Sequence, residues 1–219
     1  MNNICKYKVN TAGWKRGVHY NFFKSFAQPF FGISTDMDAT EAYDYCKQHG
    51  QSFFLFYLHR SLLAANQVPE LRQRIEDGEV YEYDTISASV TVLRPDDTFG
   101  FAYMDHYVEF EQFAPPARAA VDHEKTTDRL QLRDGFNSLI HYSILKDIRF
   151  TSMQHAQPLA GDDSVPKIVF GQFYRRDGRV WLPVAIHAHH ALCDGRHMGL
   201  FVKRFQEQIN RIPADSIKG

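Results

Sequence analysis

Between residues 187 and 197 the chain reads HAHHALCDGRH, with four histidines, a cysteine and an aspartate in eleven positions. Two chemistries compete for them. His187 and His189, at i and i+2 on a strand, could chelate one ion, with Cys193 or Asp194 as a third ligand. No H-E-x-x-H accompanies them and a structural zinc would want more thiolates, so hydrogen-bonded strand histidines are the plainer reading and no metal is expected. His190 offers something different. If the strand runs through position 190, it lies with Val184, Ile186 and Ala188, away from His187, His189 and Ala185. Imidazole titrates near neutrality and an apolar setting keeps it uncharged, which suits a general base. Asp194, four residues on and followed by Gly195, could pin the turn that holds it.

The elements that must position these residues are legible nearby. IVFGQFYRRDGRVWLPVAIHAHH holds two apolar runs joined by Asp177-Gly178, the favoured pair for a tight hairpin turn. Pro183 within the second run lacks a ladder donor and predicts an edge or a bulge beside it. From Gly195 onward, Met198, Phe201, Val202, Phe205, Ile209 and Ile212 recur at three and four, giving an amphipathic last helix stopped by Pro213.

Farther back, DATEAYDYCKQHG predicts a helix with Asp38 as N-cap, Glu41 at the capping-box position and Gly50 past its end. SFFLFYLHRSLLAANQ is apolar nearly all round and predicts a buried helix, and PELRQRI (69 to 75) a short helical segment. EVYEYD, SASVTVL and FGFAYM read as strands, as does SLIHYSIL (138 to 145). EFEQFAPPARAAVDHE reads as helix on both sides of a break at Pro115-Pro116, with an irregular polar stretch following to Gly135. The fold class is α+β, a mixed β-sheet with helices packed on it. No repeat or linker interrupts the 219 residues, which predicts a single domain over 1–219.

Composition narrows the function. Lys and Arg total 25 against 26 Asp and Glu, leaving no basic footprint for nucleic acid or an anionic membrane. The N-terminus lacks a signal-peptide core, and the longest apolar run, FFLFYL (53 to 58), is too short to span a bilayer. Three scattered cysteines, Cys5, Cys46 and Cys193, form no framework. A soluble, cytoplasmic protein is expected. The aromatic run HYNFFKSFAQPFFG (19 to 32) suits a core, or the wall of an apolar pocket.

HHALCDG resembles the H-H-x-x-x-D-G motif of coenzyme A-dependent acyltransferases, and with its flanks it is similar to the chloramphenicol acetyltransferase family. RVWLPVAIHAHHALCDGRHMGLF resembles that family's last strand, motif and helix, SFFLFYLHRSLLAANQVPELRQRI its buried helix and the segment after it, and GWKRGVHYNFF its W-x-R-x-x-H stretch. The similarity runs from about residue 14 to residue 210.

The resemblance implies an acetyl-CoA-dependent O-acetyltransferase that modifies chloramphenicol and so confers antibiotic resistance. His190 would be the catalytic base and Ser143, in HYSILKDIRFTS, the donor to the oxyanion. Asp194 would pair with Arg16 to hold the base in place, in a buried ion pair. Phe22, Phe23 and Phe99 correspond to acceptor-pocket residues. The resemblance further implies a homotrimer with active sites at subunit interfaces, acetyl-CoA as co-substrate and no metal.

Several positions depart from the family pattern. Phe22-Phe23 stands where Phe-Tyr is common, Val169 where a threonine is thought to help hold a water, and Phe101 where a small residue is usual. Lys146-Asp147 replaces a Pro-Trp pair. These changes spare the base and oxyanion donor but alter the walls, so a different hydroxyl-bearing small molecule is the alternative acceptor. The catalytic core of dihydrolipoamide acyltransferases shares the motif, but this chain has no room for a lipoyl domain. A non-enzymatic ligand binder would have no use for His190 together with Ser143.

Overall fold

The computed structural model describes residues 4–130, 132, 136–157 and 163–213. Asp177 and Gly178 take φ of 52° and 75°, the left-handed values a two-residue hairpin turn demands. They join β9 (Tyr174–Arg176) to β10 (Arg179–His189). β10 is the longest strand and organises the sheet around it. On one side it pairs antiparallel with β2 (Phe30–Asp38), from Trp181 opposite Asp38 to His189 opposite Phe30. On the other it pairs with β8 (Lys167–Gly171) and then with β9, and Phe170 faces Val184 while Tyr174 faces Trp181. Three residues on one strand therefore answer two on β10, a bulge opposite Pro183, where the ladder has no donor to lose.

β8 continues in parallel to β7 (Leu139–Leu145), and β7 in parallel to β5 (Ser87–Leu93). β6 (Phe99–Met104) closes the far edge, giving a seven-stranded sheet in the order β2-β10-β8-β7-β5-β6 with β9 beside β10. A smaller three-stranded sheet is built from β1 (Lys6–Lys8), β4 (Glu79–Tyr83) and β3 (Gln73–Glu76) in the order β1-β4-β3.

Side chains alternate across the large sheet. Val184, Ile186 and Ala188 of β10, Ile168 and Phe170 of β8, Tyr142 of β7 and Val90 of β5 enter one core. There they meet α2 (Thr40–Gln48), α3 (Phe53–Asn66), α4 (Phe110–Glu124) and α5 (Gly195–Ile209). α3 is buried along most of its length, and α5 turns Met198, Phe201, Phe205 and Ile209 inward. The α+β architecture of a mixed sheet with helices packed on it is the one its sequence predicts. Among the described residues no helix is long and apolar enough to cross a membrane.

Several local expectations need correcting. Asp38 ends β2 rather than capping α2; Ala39 is the N-cap, no side chain caps it, and Asp38 instead accepts from the Thr40 amide and hydroxyl. Glu41 accordingly forms no capping box. PELRQRI is a 3-10 turn over Pro69–Arg72 followed directly by β3, because its last residues find β4 as a partner. Pro115 and Pro116 do not break α4, which runs through both. The N-terminal aromatic run contains α1 (Gly17–Phe23) and the start of β2, elements its density of aromatics conceals.

Candidate active site

β10 ends at His189, so His190 lies in the turn beyond it rather than within the strand. Its amide still bonds the Pro29 carbonyl at 2.8 Å, continuing the β2 ladder by one step, while the Leu192 and Cys193 amides fold back onto the His189 carbonyl. The imidazole lies between two rings. Phe23 from α1 stacks on it at 4.0 Å and 6°, and Phe31 from β2 lies at 4.4 Å. Nδ1 is 3.0 Å from the Cys193 carbonyl oxygen. A carbonyl only accepts, so Nδ1 carries the hydrogen and Nε2 presents the free lone pair. That is the tautomer of a general base aimed away from its own turn.

Arg16 holds the same turn from below. Its Nη1 meets Asp194 Oδ2, and Nη2 donates to the carbonyls of His190 at 3.0 Å and Cys193 at 3.2 Å. Burial raises the Asp194 carboxyl, but the Arg16 hydrogen bond and the neighbouring His197 outweigh it and leave the group below its ordinary value. The expected ion pair is therefore present, though half-buried: Arg16 is 12% exposed and Asp194 37%. Asp194 also caps α5, accepting from the Arg196 amide, while its own amide donates to His197 Nδ1. His197, Phe31 and the short α1 were not singled out in the sequence; each acts through contacts that local spacing does not reveal.

Cys193 and the other histidines do not assemble as a metal site. Burial pushes the Cys193 thiol up to about 12, and its Sγ points at the Glu70 carbonyl. Among the described residues no group of three or more histidine, cysteine or acidic side chains could hold an ion. His187 instead bonds the Met153 carbonyl through Nε2 at 3.1 Å. Its ring lies flat over Gly32 on β2, where a Cβ would come within 2.3 Å of it.

The remaining sequence candidates occupy the opposite face of the large sheet. Ser143 on β7 is level with Val169 on β8, which is level with Ala185 on β10. Phe101 on β6 is level with Thr91 on β5, the next position after the Val90–Tyr142 pair, so Phe101 falls in the same row. Phe99 lies beside Phe101 with ring centroids 5.7 Å apart. Phe22 is not among them; it packs with Phe23 and Phe26 near His190.

Within one chain the two groups are separate. His190 is five positions beyond Ala185, and Ser143 is two strands across. At about 3.3 Å per residue and about 4.8 Å per strand, the base and Ser143 are roughly 19 Å apart.

A family model described as chloramphenicol acetyltransferase matches residues 4–206. A chloramphenicol acetyltransferase of Proteus mirabilis is 24% identical over 200 residues, covering 91% of this chain and 92% of its own. Chloramphenicol acetyltransferase 3 of Escherichia coli is 25% identical over 206 residues, covering 93% and 96%. Among solved structures, a chloramphenicol acetyltransferase superposes with a TM-score of 0.87 at 31% identity, over 94% of this chain and 100% of that one. A probable dihydrolipoamide acetyltransferase from Listeria monocytogenes, with a TM-score of 0.66 and 14% identity over 96% of each chain, shares the fold.

Proposed function

This chain belongs to the chloramphenicol acetyltransferase family, and from that premise we propose that it transfers the acetyl group of acetyl-CoA to a hydroxyl of a small molecule, with His190 as general base. The observation that carries this reading is the fixed tautomer of His190, its Nδ1 hydrogen committed to Cys193 and its ring stacked on Phe23. Nε2 takes the hydroxyl proton as the oxygen attacks the thioester carbonyl. The carbon–oxygen bond forms, Ser143 donates to the oxyanion, and collapse breaks the carbon–sulfur bond. The proton passes from Nε2 to the departing CoA thiolate, leaving ester and thiol.

Arg16 and Asp194 are positioning residues that keep the turn and its base in place. The separation of Ser143 from His190 supports a homotrimer in which one subunit supplies the base and its neighbour the oxyanion donor. The enzyme works in the cytoplasm, with acetyl-CoA as co-substrate and no metal. Chloramphenicol is the acceptor that the relatives' names supply, and resistance to it would follow. Phe22 and Phe23 come to that pocket beside the base, Val169 beside Ser143, and Phe99 and Phe101 from the far edge of the same face.

A second acceptor, a different hydroxyl compound, is favoured by one observation: the face that bears Ser143 also carries Lys167 and a set of histidines, where an apolar antibiotic would want apolar walls. The deciding experiment follows CoA thiol release from acetyl-CoA with chloramphenicol and with His190→Ala as control. Release that disappears in the variant supports the reaction and the base together. Protein that binds CoA, assembles as trimers and releases none sends the chemistry to another acceptor.

A further inference from the structure

The strand register puts His141 two positions before Ser143 and Lys167 two positions before Val169, on the same face and opposite each other. His187 is the next residue in that row, opposite Lys167 on β10. This second row is therefore about 7 Å from the Ser143 row. His155, from the segment that crosses the face, stands edge-on to His187 at 4.9 Å. Lys167 Nζ bonds Asp163 at 2.7 Å and lies 4.1 Å over the Phe30 ring. Behind them Arg74 is fully buried; it donates to the carbonyls of Leu71, Gln73, Asn137 and Leu139, and among the described residues it has no carboxylate partner. Lys167 Nζ also donates to the Val165 carbonyl at 3.2 Å, and Arg74 feels the charges of Asp163 and Glu76 without bonding either, so Asp163 is the one carboxylate in contact with a cation of this row.

The polar inventory is incomplete as well. His155 Nε2 and His187 Nδ1 are buried without a hydrogen-bond partner among the described residues. An unmade hydrogen bond of that kind costs about 1–3 kcal/mol, so such groups are kept where something meets them. Burial holds His155 neutral, its pKa down to about 4, so Nε2 can carry a hydrogen and donate. His187 has its Nε2 hydrogen committed to Met153 and offers Nδ1 as an acceptor. A metal ion suits the place poorly, with no third protein ligand among the described residues and an ammonium group alongside.

We propose that the acceptor is a hydroxylated anion, its carboxylate or phosphate received by Lys167 Nζ and His155 Nε2 while its reacting hydroxyl lies about 7 Å away beside Ser143. This rests on the acetyl-transfer reading of the same site. Asp163 is the resident counter-ion that the acceptor's anion joins or displaces at Lys167. Val169, opposite Ser143 and two positions after Lys167, supplies an apolar wall for the body that joins the two ends. Lys167, His155 and Asp163 then decide which acceptor is taken, and His190 decides whether it reacts.

A matched set of acceptors tests this: 4-(hydroxymethyl)benzoate, 4-(hydroxymethyl)phenyl phosphate and the neutral 1,4-benzenedimethanol, each titrated calorimetrically into the protein with CoA present and then assayed for thiol release. Both anions should bind at least about 10-fold tighter than the diol, the worth of one charge-assisted hydrogen bond. The tighter of the two identifies the anionic group. Lys167→Met and His155→Gln should each remove the preference by raising KM for the anions with little change for the diol. Asp163→Asn should strengthen it. Equal binding of all three, or a preference that survives both Lys167→Met and His155→Gln, overturns the proposal. Anions that bind with the expected preference but release no thiol leave the binding site standing and instead overturn acetyl transfer.

Discussion

The turn at His190 and the sheet face at Ser143 are built on opposite principles. At the turn the groups that hold the base are answered, and only His190 Nε2 is left open to react. Nδ1 of His190 has the Cys193 carbonyl, Arg16 has Asp194 and two carbonyls, and the Asp194 amide has His197. On the face, His155 Nε2 and His187 Nδ1 have no partner and Arg74 has no carboxylate among the described residues. A fully satisfied network fixes one geometry, which is what a base of constant duty needs. Unanswered groups cost stability and keep open valences, which is what recognition needs. On the proposed reading the difference separates the base, held in the turn, from the row of His141, Lys167 and His187 that would choose the acceptor.

The sharpest way to break this division is to remove one residue from each side. His190→Ala should lower acetyl transfer by about 10²- to 10⁴-fold and Ser143→Ala by about 10²- to 10³-fold, read as initial rates of thiol release. Because the two lie roughly 19 Å apart in one chain, refolding the two inactive variants together should restore about a quarter of the wild-type sites, those pairing an intact base with an intact neighbour. No recovery from mixed trimers would place both groups in one subunit's site and dissolve the comparison.

Next in size is Arg16→Met. A fully buried pair broken on one side costs about 3–5 kcal/mol, and this half-exposed one should cost less, about 1–3 kcal/mol. Thermal melting should report that loss. The activity lost should appear in kcat, with acceptor KM nearly unchanged, if the turn serves only the base.

Gly32→Ala probes the other side. The new Cβ meets the His187 ring, and overpacking of this kind typically costs about 1–3 kcal/mol, or several degrees in Tm for a chain of this length. Here KM for the acceptor should rise while the pH dependence of kcat is retained.

The last expected effect, the smallest on catalysis, is a pH dependence of stability. Burial lowers both His141 and His155 to about 4 in the folded chain, from an ordinary 6.5. Unfolded chains therefore bind more protons in that interval, and the stabilisation present above pH 6.5 should drain away as pH falls from about 6.5 to about 4. Urea midpoints measured across the interval should fall less steeply in His155→Gln than in wild type.

The two regions also differ in how much of each the sequence discloses. The turn is written locally: His190, Asp194 and Gly195 are within six residues, the Asp177-Gly178 hairpin announces β10, and the period of α5 is unmistakable. The face is not. His141, His155, Lys167 and His187 come from four segments and become neighbours only through the register of β7, β8 and β10, which no local pattern encodes. β2 is hidden for a related reason. FFGISTDMD mixes turn formers and acids with its apolar residues, and its strand character comes from nine pairings with a partner some 150 residues away. PELRQRI likewise has a helical start, and only β4 turns its end into strand.

β10 is the longest strand of the large sheet and pairs with β2, β8 and β9, yet it follows all of them in the chain. While the chain is being made, β2 waits some 150 positions for the strand beside it, and Arg16 waits for an aspartate 178 positions later. Contacts of such sequence separation close slowly, and an unpaired strand is sticky while it waits. β2 is the segment that should most need shielding by a chaperone, and a chain cut short before residue 179 would leave β2 without its nine pairings and Arg16 without its aspartate.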